Sequence, residues 1–252
     1  MEKTERVNDD LVLTSRTDGL RFGTDALLLA AYIGDGYGRA IEYGAGTGII
    51  SLLLLSRNKV EHVDAVEVQE VYAELTERNA RENGLSERLT VHAADLRELS
   101  FEGAELVFTN PPYMKAASGK QNESAHKRIA RHEAFGTIGE FLLAAKSHLK
   151  WGGDFFAVYR PDRTVDLIAA MRECGVEPKR LTFVHADAEA IPSMLLVEGK
   201  RGGRSGLHLT RPLLLYTDTS HREYTEDMRY ILEKGYFPDS FRFGKKMTRN
   251  RE

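Results

Sequence analysis

Glu42-Tyr43-Gly44-Ala45-Gly46-Thr47-Gly48 decides the fold. The residues that lead into it, Arg39 to Tyr43 (RAIEY), read as a strand, and the apolar run after it, through about Arg57, reads as a helix. Glycines between a strand and a helix let the backbone turn sharply and let a ligand approach with no Cβ in the way. Their spacing separates two ligand classes. A dinucleotide fingerprint runs GxGxxG, but here the third glycine, Gly48, comes one residue early and Ile49 stands where that pattern needs glycine.

Downstream, strands and helices alternate. HVDAVEV (62–68) reads as a strand, 70–83 as an amphipathic helix stopped by Gly84, LTVHAAD (89–95) as a third strand and AELVFTN (104–110) as a fourth. A polar, basic stretch runs from there to about residue 133, long for a loop in a compact domain. A helix follows over 138–150, closed by Trp151-Gly152-Gly153, then a strand over 154–160, a helix over 162–174 stopped by Gly175, and two strands near 180–185 and 193–198. A basic turn (199–206) leads through RPLLLY to a last helix near 224–234. Upstream, TDALLLAAYI (24–33) reads as a short apolar helix with Thr24 as its N-cap. This alternation predicts an α/β fold: a mostly parallel sheet with helices on both faces and an antiparallel edge hairpin, in a single domain over 1–252. Within it, 1–38 is expected to close over a ligand and 199–252 to form a basic extension.

Three further positions carry chemistry. Glu67 ends the second strand, one βα unit after the glycines, where a carboxylate can accept hydrogen bonds from both hydroxyls of a ribose. Asp95 ends the third, where a carboxylate can take an adenine amino group; Val68 and Leu96, the next residues, belong to the same candidate cofactor site. Asn110-Pro111-Pro112-Tyr113 ends the fourth strand. Two prolines stiffen the backbone and remove two N–H donors, which leaves the Asn110 side-chain oxygen and the Pro111 carbonyl as adjacent acceptors. An amino nitrogen that attacks a methyl sulfonium must free its lone pair from the aromatic ring, and two acceptors on its N–H groups favour that geometry as charge develops. Tyr113 offers a flat face on which an extruded base can stack. All four residues are candidate catalytic groups.

Composition bounds the alternatives. Net charge is −3, from 35 basic and 38 acidic side chains, so polyanion binding must rest on local patches. Lys115, Lys127, Arg128 and Arg131 lie just past the NPPY turn; Lys200, Arg201 and Arg204 lie in the 199–206 turn; Lys245 and Lys246 lie in a tail where Phe241 and Phe243 alternate with basic residues. These nine side chains are the candidate RNA contacts. No apolar run approaches a membrane span, and the first ten residues lack the apolar core of a signal peptide. The single cysteine, Cys174, excludes an intrachain disulfide and a cysteine zinc site. The histidines show no HExxH spacing and no GxSxG elbow is present, so no metal is expected. A cytoplasmic protein without an obligate protein partner is the expectation.

Together EYGAGTG, Glu67, Asp95 and NPPY resemble the class I amino-methyltransferases. The segments DGLRFGTDALLLAAY (18–32), KRIARHE after NPPY, LLVEGKRGG and YTEDMRYIL are similar to the bacterial tRNA(Val) adenine-N6 methyltransferases. The resemblance implies a Rossmann-like fold with a seven-stranded sheet, S-adenosylmethionine as cofactor with S-adenosylhomocysteine as product, and a tRNA adenine beside the anticodon as target. It carries cofactor roles onto Glu42, Gly44, Gly46, Gly48, Glu67 and Asp95, catalytic roles onto Asn110, Pro111 and Tyr113, and closure over the cofactor onto Phe22, Thr24 and Asp25. Many relatives begin the first motif with Asp, where this chain has Glu42 and keeps the carboxylate. Three other readings share parts of the pattern. A guanine-N2 rRNA methyltransferase has the same motif order. A protein-glutamine N5-methyltransferase also uses NPPY but usually carries a helical domain ahead of the first motif, which the residues before Glu42 are too few to form. A non-catalytic RNA-binding protein on this fold would be expected to have lost Asn110 or its prolines.

Overall fold

A computed structural model of the chain describes residues 2–17, 23–101, 103–111 and 138–242. Strands β3 (Tyr37–Tyr43), β4 (Val60–Glu67), β5 (Leu89–Ala93), β6 (Ala104–Thr109), β7 (Leu149–Tyr159), β8 (Val176–His185) and β9 (Pro192–Arg201) form the body of one sheet, in the order β8-β9-β7-β6-β3-β4-β5. The pairs β5–β4, β4–β3, β3–β6 and β6–β7 are parallel, while β9 runs antiparallel between β7 and β8. The expected seven strands and the terminal hairpin are present. Two short strands, β10 (His208–Leu209) and β11 (Leu213–Leu214), pair with the outer side of β8 and bring the sheet to nine.

Side-chain alternation along β3 divides the core. Ala40 faces helices α1 (Thr24–Tyr32) and α2 (Ile49–Ser56), while Ile41 and Tyr43 face α4 (Ile138–His148) and α5 (Thr164–Glu173). Helix α2 is apolar on every side and seven of its residues are buried, as befits a helix covered by neighbours all round. Helix α3 (Glu70–Glu82) packs beside β5, and α6 (Glu226–Lys234) sits against the α1 side, its N-terminus capped by the Thr225 hydroxyl, which accepts from Met228 N.

Several expectations are corrected. The N-cap of α1 is Gly23, not Thr24, which is already the first helical residue. Helix α4 stops at His148, because Leu149 pairs with Ala104 and starts β7 five residues before the expected strand. The N-terminal residues form a hairpin, β1 (Glu2–Arg6) with β2 (Val12–Arg16), that sequence reading did not anticipate. The 199–206 turn begins inside β9, which runs to Arg201. No helix among the described residues is long and apolar enough to cross a membrane.

Candidate active site

The register of the parallel strands sets four positions side by side. Tyr43 pairs with Val66 on β4 and with Thr109 on β6, and Glu67 pairs with Ala93 on β5. The residues at or just past these pairs are Asn110, Gly44, Glu67 and Asp95, all at the carboxyl edge of the sheet where open α/β folds bind ligands. Sequence separations of up to 66 positions collapse into one row because each strand ends at the same level.

Gly44, Gly46 and Gly48 all have positive φ, at 69°, 58° and 77°. This left-handed backbone is costly for any residue with a Cβ. A Cβ on Gly44 would meet nothing within 4 Å, so the loop presents open space there. Gly48 is glycine for a second reason: a Cβ would come within 2.7 Å of the Thr76 side chain. The loop is fixed from below. Gly44 N and Ala45 N donate to Val66 O, the Thr76 hydroxyl donates to Gly46 O, and the Asn79 amide donates to Thr47 O.

Glu67 is buried and both its oxygens are engaged: Oε2 accepts from Gly46 N at 2.9 Å and Oε1 from Gln69 N at 3.0 Å. Each carboxylate oxygen has two lone pairs, so Glu67 can brace the glycine loop and still accept a hydroxyl. Val68 beside it is 44% exposed. Asp95 is not waiting for a ligand. Arg97 clamps it with a guanidinium and a backbone N–H, and that guanidinium hydrogen bond holds the Asp95 carboxyl below the usual carboxylate range. An adenine amino group would share Asp95 with Arg97. Leu96 is buried in the α4–α5 core.

Glu42 is placed differently from the expectation. It is fully buried beneath the loop, where its Oε2 accepts from the Ser51 hydroxyl and from Ser51 N in the first turn of α2. Burial pushes its carboxyl up to about 8, with Glu67 nearby adding to the rise. Glu42 therefore supports the loop from the α2 side rather than lining its open face.

Asn110 shows the arrangement with most chemical content. Its Nδ2 donates to Asp25 Oδ2 at 2.9 Å. Its Oδ1 is buried and has no hydrogen-bond partner among the described residues. A carboxylate only accepts, so Asp25 fixes which way the amide points and leaves the oxygen as the free acceptor. Gly23 makes room for this: a Cβ there would come within 2.7 Å of Asp25 Oδ1, although its backbone is ordinary extended chain. Thr24 opens the helix that carries Asp25. Sequence reading placed Asp25 near the cofactor but missed this contact, since the two residues lie 85 positions apart. Pro111 follows at the same edge; Pro112, Tyr113, Phe22, Lys115, Lys127, Arg128, Arg131, Lys245 and Lys246 lie outside the described residues.

Lys200, Arg201 and Arg204 are not brought to this edge. β9 is antiparallel, so its last residues lie at the amino ends of the parallel strands. There Lys200 pairs with Asp154 and with Gly152 O, and Arg201 donates to Leu149 O.

Residues 17–174 match the model of the methyltransferase small domain. The chain belongs to that family. A curated relative from Aliivibrio salmonicida, named tRNA1(Val) (adenine(37)-N6)-methyltransferase, is 34% identical to this family member over 184 residues, covering 71% of the chain and 77% of the relative. Among solved structures, a predicted O-methyltransferase from Agrobacterium tumefaciens superposes with a TM-score of 0.68 at 23% identity, over 85% of this methyltransferase-domain chain and 98% of the other. M. jannaschii TYW2, solved in complex with AdoMet, gives a TM-score of 0.56 at 14% identity over 79% and 84%. The family-level resemblance and the Rossmann-like fold are thereby borne out.

Proposed function

We propose that the protein methylates the N6 amino group of an adenine in tRNA, at the position beside the anticodon named for its relatives, with S-adenosylmethionine as methyl donor. The observation that carries the reading is the buried Oδ1 of Asn110, without a partner among the described residues, at the same strand-end edge as the open Gly44–Gly48 loop. The residues fit the cofactor: positive-φ glycines leave a cradle without side chains, and Glu67 and Asp95 offer carboxylate oxygens on the next two strands. When bound, the cofactor supplies an electrophilic methyl group on a sulfonium.

The chain's own residues do the rest. Asn110 Oδ1 and the Pro111 carbonyl accept the two N–H bonds of the target amine and turn its lone pair toward the methyl. As the N–C bond formed and the methyl–sulfur bond broke, with its electron pair leaving on sulfur, positive charge would pass to that nitrogen and both acceptors would strengthen their hold. The methylated nitrogen then gives its extra proton to water; no side chain at this edge needs to act as a strong base. Asp25 keeps the Asn110 amide in register throughout. Tyr113 supplies the stacking face for the extruded base.

Mass spectrometry of nucleosides from tRNA incubated with the protein and labelled cofactor tests the assignment. N6-methyladenosine is the expected product; N2-methylguanosine in rRNA, or methylglutamine in a protein substrate, would replace it with a rival reading. Asn110→Ala is expected to keep cofactor affinity and lose about 10²–10³-fold in kcat.

A further inference from the structure

A second polar cleft opens to the side of this site, across the β7-β9-β8-β10 part of the sheet. Across four strands the register aligns Phe156 with Glu198, Glu198 with Arg180 and Arg180 with His208. All four line an open cleft of about 250 Å³, together with Gly34, Tyr37, Lys179 and Arg242. The row is level with Glu42 on β3, but β8 lies four strands from β3, so at ~4.8 Å per strand Arg180 lies about 19 Å to the side of the strand that leads into the glycine loop.

Arg180 is the base of this cleft. It is 6% exposed. Its guanidinium lies 3.8 Å over the Tyr32 ring, its Nη2 donates to Tyr32 O at 2.9 Å, and its Nε lies 2.7 Å from Glu198 Oε2. Those contacts use one side of a planar fork and leave the other. Nη1 is buried with no partner among the described residues, and so is His208 Nε2 on the neighbouring strand. Buried polar nitrogens are rarely left without a partner, because their desolvation is not repaid; Arg180 Nη1 can only donate, and His208 Nε2 donates when it carries the ring proton. Lys179 and Arg242 add two further cations to the lining, against the one carboxylate of Glu198. Lys179 is tethered by its Nζ to the carbonyls of Arg204 and Gly206, which holds its charge in place. Water could satisfy single donors, but it would leave the surplus positive charge uncompensated.

We infer that this cleft binds a phosphate-class oxyanion, held by Arg180 Nη1 and His208 Nε2 and faced by Lys179 and Arg242. A tetrahedral oxyanion presents several acceptors at once, and a guanidinium fork is suited to it. Two sources share that chemistry: free phosphate, or a phosphate ester of an RNA chain.

The test is titration calorimetry of the full chain, without cofactor or RNA, with sodium phosphate against sodium chloride of equal ionic strength. One saturable phosphate site per chain is expected, absent with chloride. Arg180→Gln should abolish it, but that residue packs on Tyr32 and its loss can disturb the fold. His208→Leu and Arg242→Ala are therefore measured beside it; each should weaken phosphate by tenfold or more while circular dichroism and the unfolding midpoint in phosphate-free buffer stay unchanged. No saturable binding above chloride, or wild-type affinity in both of these variants, overturns the inference. Competition identifies the source: phosphate at saturation weakens tRNA binding, relative to matched chloride, if an RNA phosphate occupies the cleft, and leaves it unchanged if the ligand is the free anion. Methyl transfer enters none of these readouts, so they stand apart from the proposed reaction.

Discussion

At Asn110 the two halves of one amide are given different tasks, and Asp25 is what separates them. Without that carboxylate the amide could rotate and present its N–H₂ where an acceptor is needed. Asp25→Ala is expected to lower kcat by about 10- to 100-fold, the range for losing a hydrogen bond to a charged group, with cofactor affinity little changed. Asp25→Asn, which can still accept from Nδ2, should recover much of it. In an Asn110→Ala background Asp25→Ala should cost nothing more; additive losses in that double-mutant cycle would assign Asp25 a role unrelated to Asn110. Glu42 makes a pH prediction. Its carboxyl, raised from 4.5 to about 8 by burial, is favoured as the neutral acid in the folded state. That contribution is fully present below about pH 4.5 and is lost as pH rises through 8. Glu42→Gln is neutral at every pH and its amide oxygen can still accept from Ser51. Its unfolding midpoint should exceed the wild type's at pH 8.5 and converge with it near pH 4.5; an unchanged difference across that range would mean that Glu42 is charged throughout. The sequence made both residues legible as site candidates but not their roles, since a helix N-terminus meets a strand end only once the chain has folded.

At the scale of elements, the N-terminal hairpin is held by two asparagines one helical turn apart. Asn83, the C-cap of α3, exchanges both of its amide groups with the backbone of Val12, and Asn79 does the same with Thr14. Asn79 also donates to Thr47 O, so one buried side chain ties the hairpin to the glycine loop. Asn79→Ala would leave Thr14 N, Thr14 O and Thr47 O without their partner, and a loss of about 2–4 kcal/mol is expected in urea unfolding, together with weaker cofactor binding. Asn83→Ala, at the less buried pair, should cost less and spare the cofactor. A cofactor affinity untouched by Asn79→Ala would sever the proposed link. This pairing explains what the sequence showed and what it hid. Helix α3 announces itself by a polar amphipathic pattern and a stop at Gly84, whose φ is +67°. The hairpin has no such signature: EKTER carries no apolar alternation, and the side chains that anchor β2 to α3 lie 65 to 71 positions away. Strands β10 and β11, two residues each, are too short to show any period.

Over the whole molecule, the sheet separates two chemistries by direction. Ligand-facing groups gather where β3 to β6 end, while β9, the one reversed strand in the body of the sheet, carries Lys200 and Arg201 to the far edge. Their charges are already spent there, on Asp154 and on backbone carbonyls. The net charge of −3 leaves no general attraction for RNA, so binding rests on local cations not already paired within the fold. The basic residues that follow NPPY in the chain are one such source, and the expected outcome is a contrast between two double variants. Lys127→Glu with Arg128→Glu should raise KM for tRNA by tenfold or more and flatten the salt dependence of binding, because each lost phosphate contact removes about one unit from the slope. Lys200→Glu with Arg204→Glu should leave KM for tRNA within about twofold, although loss of the Lys200–Asp154 pair can lower stability modestly. Cofactor affinity, measured in the same preparations, should be unchanged in both. The reverse pattern, with the Lys200–Arg204 variant losing tRNA and the Lys127–Arg128 variant keeping it, would place the RNA across the amino edge and require the target base to reach Asn110 from the other side of the sheet.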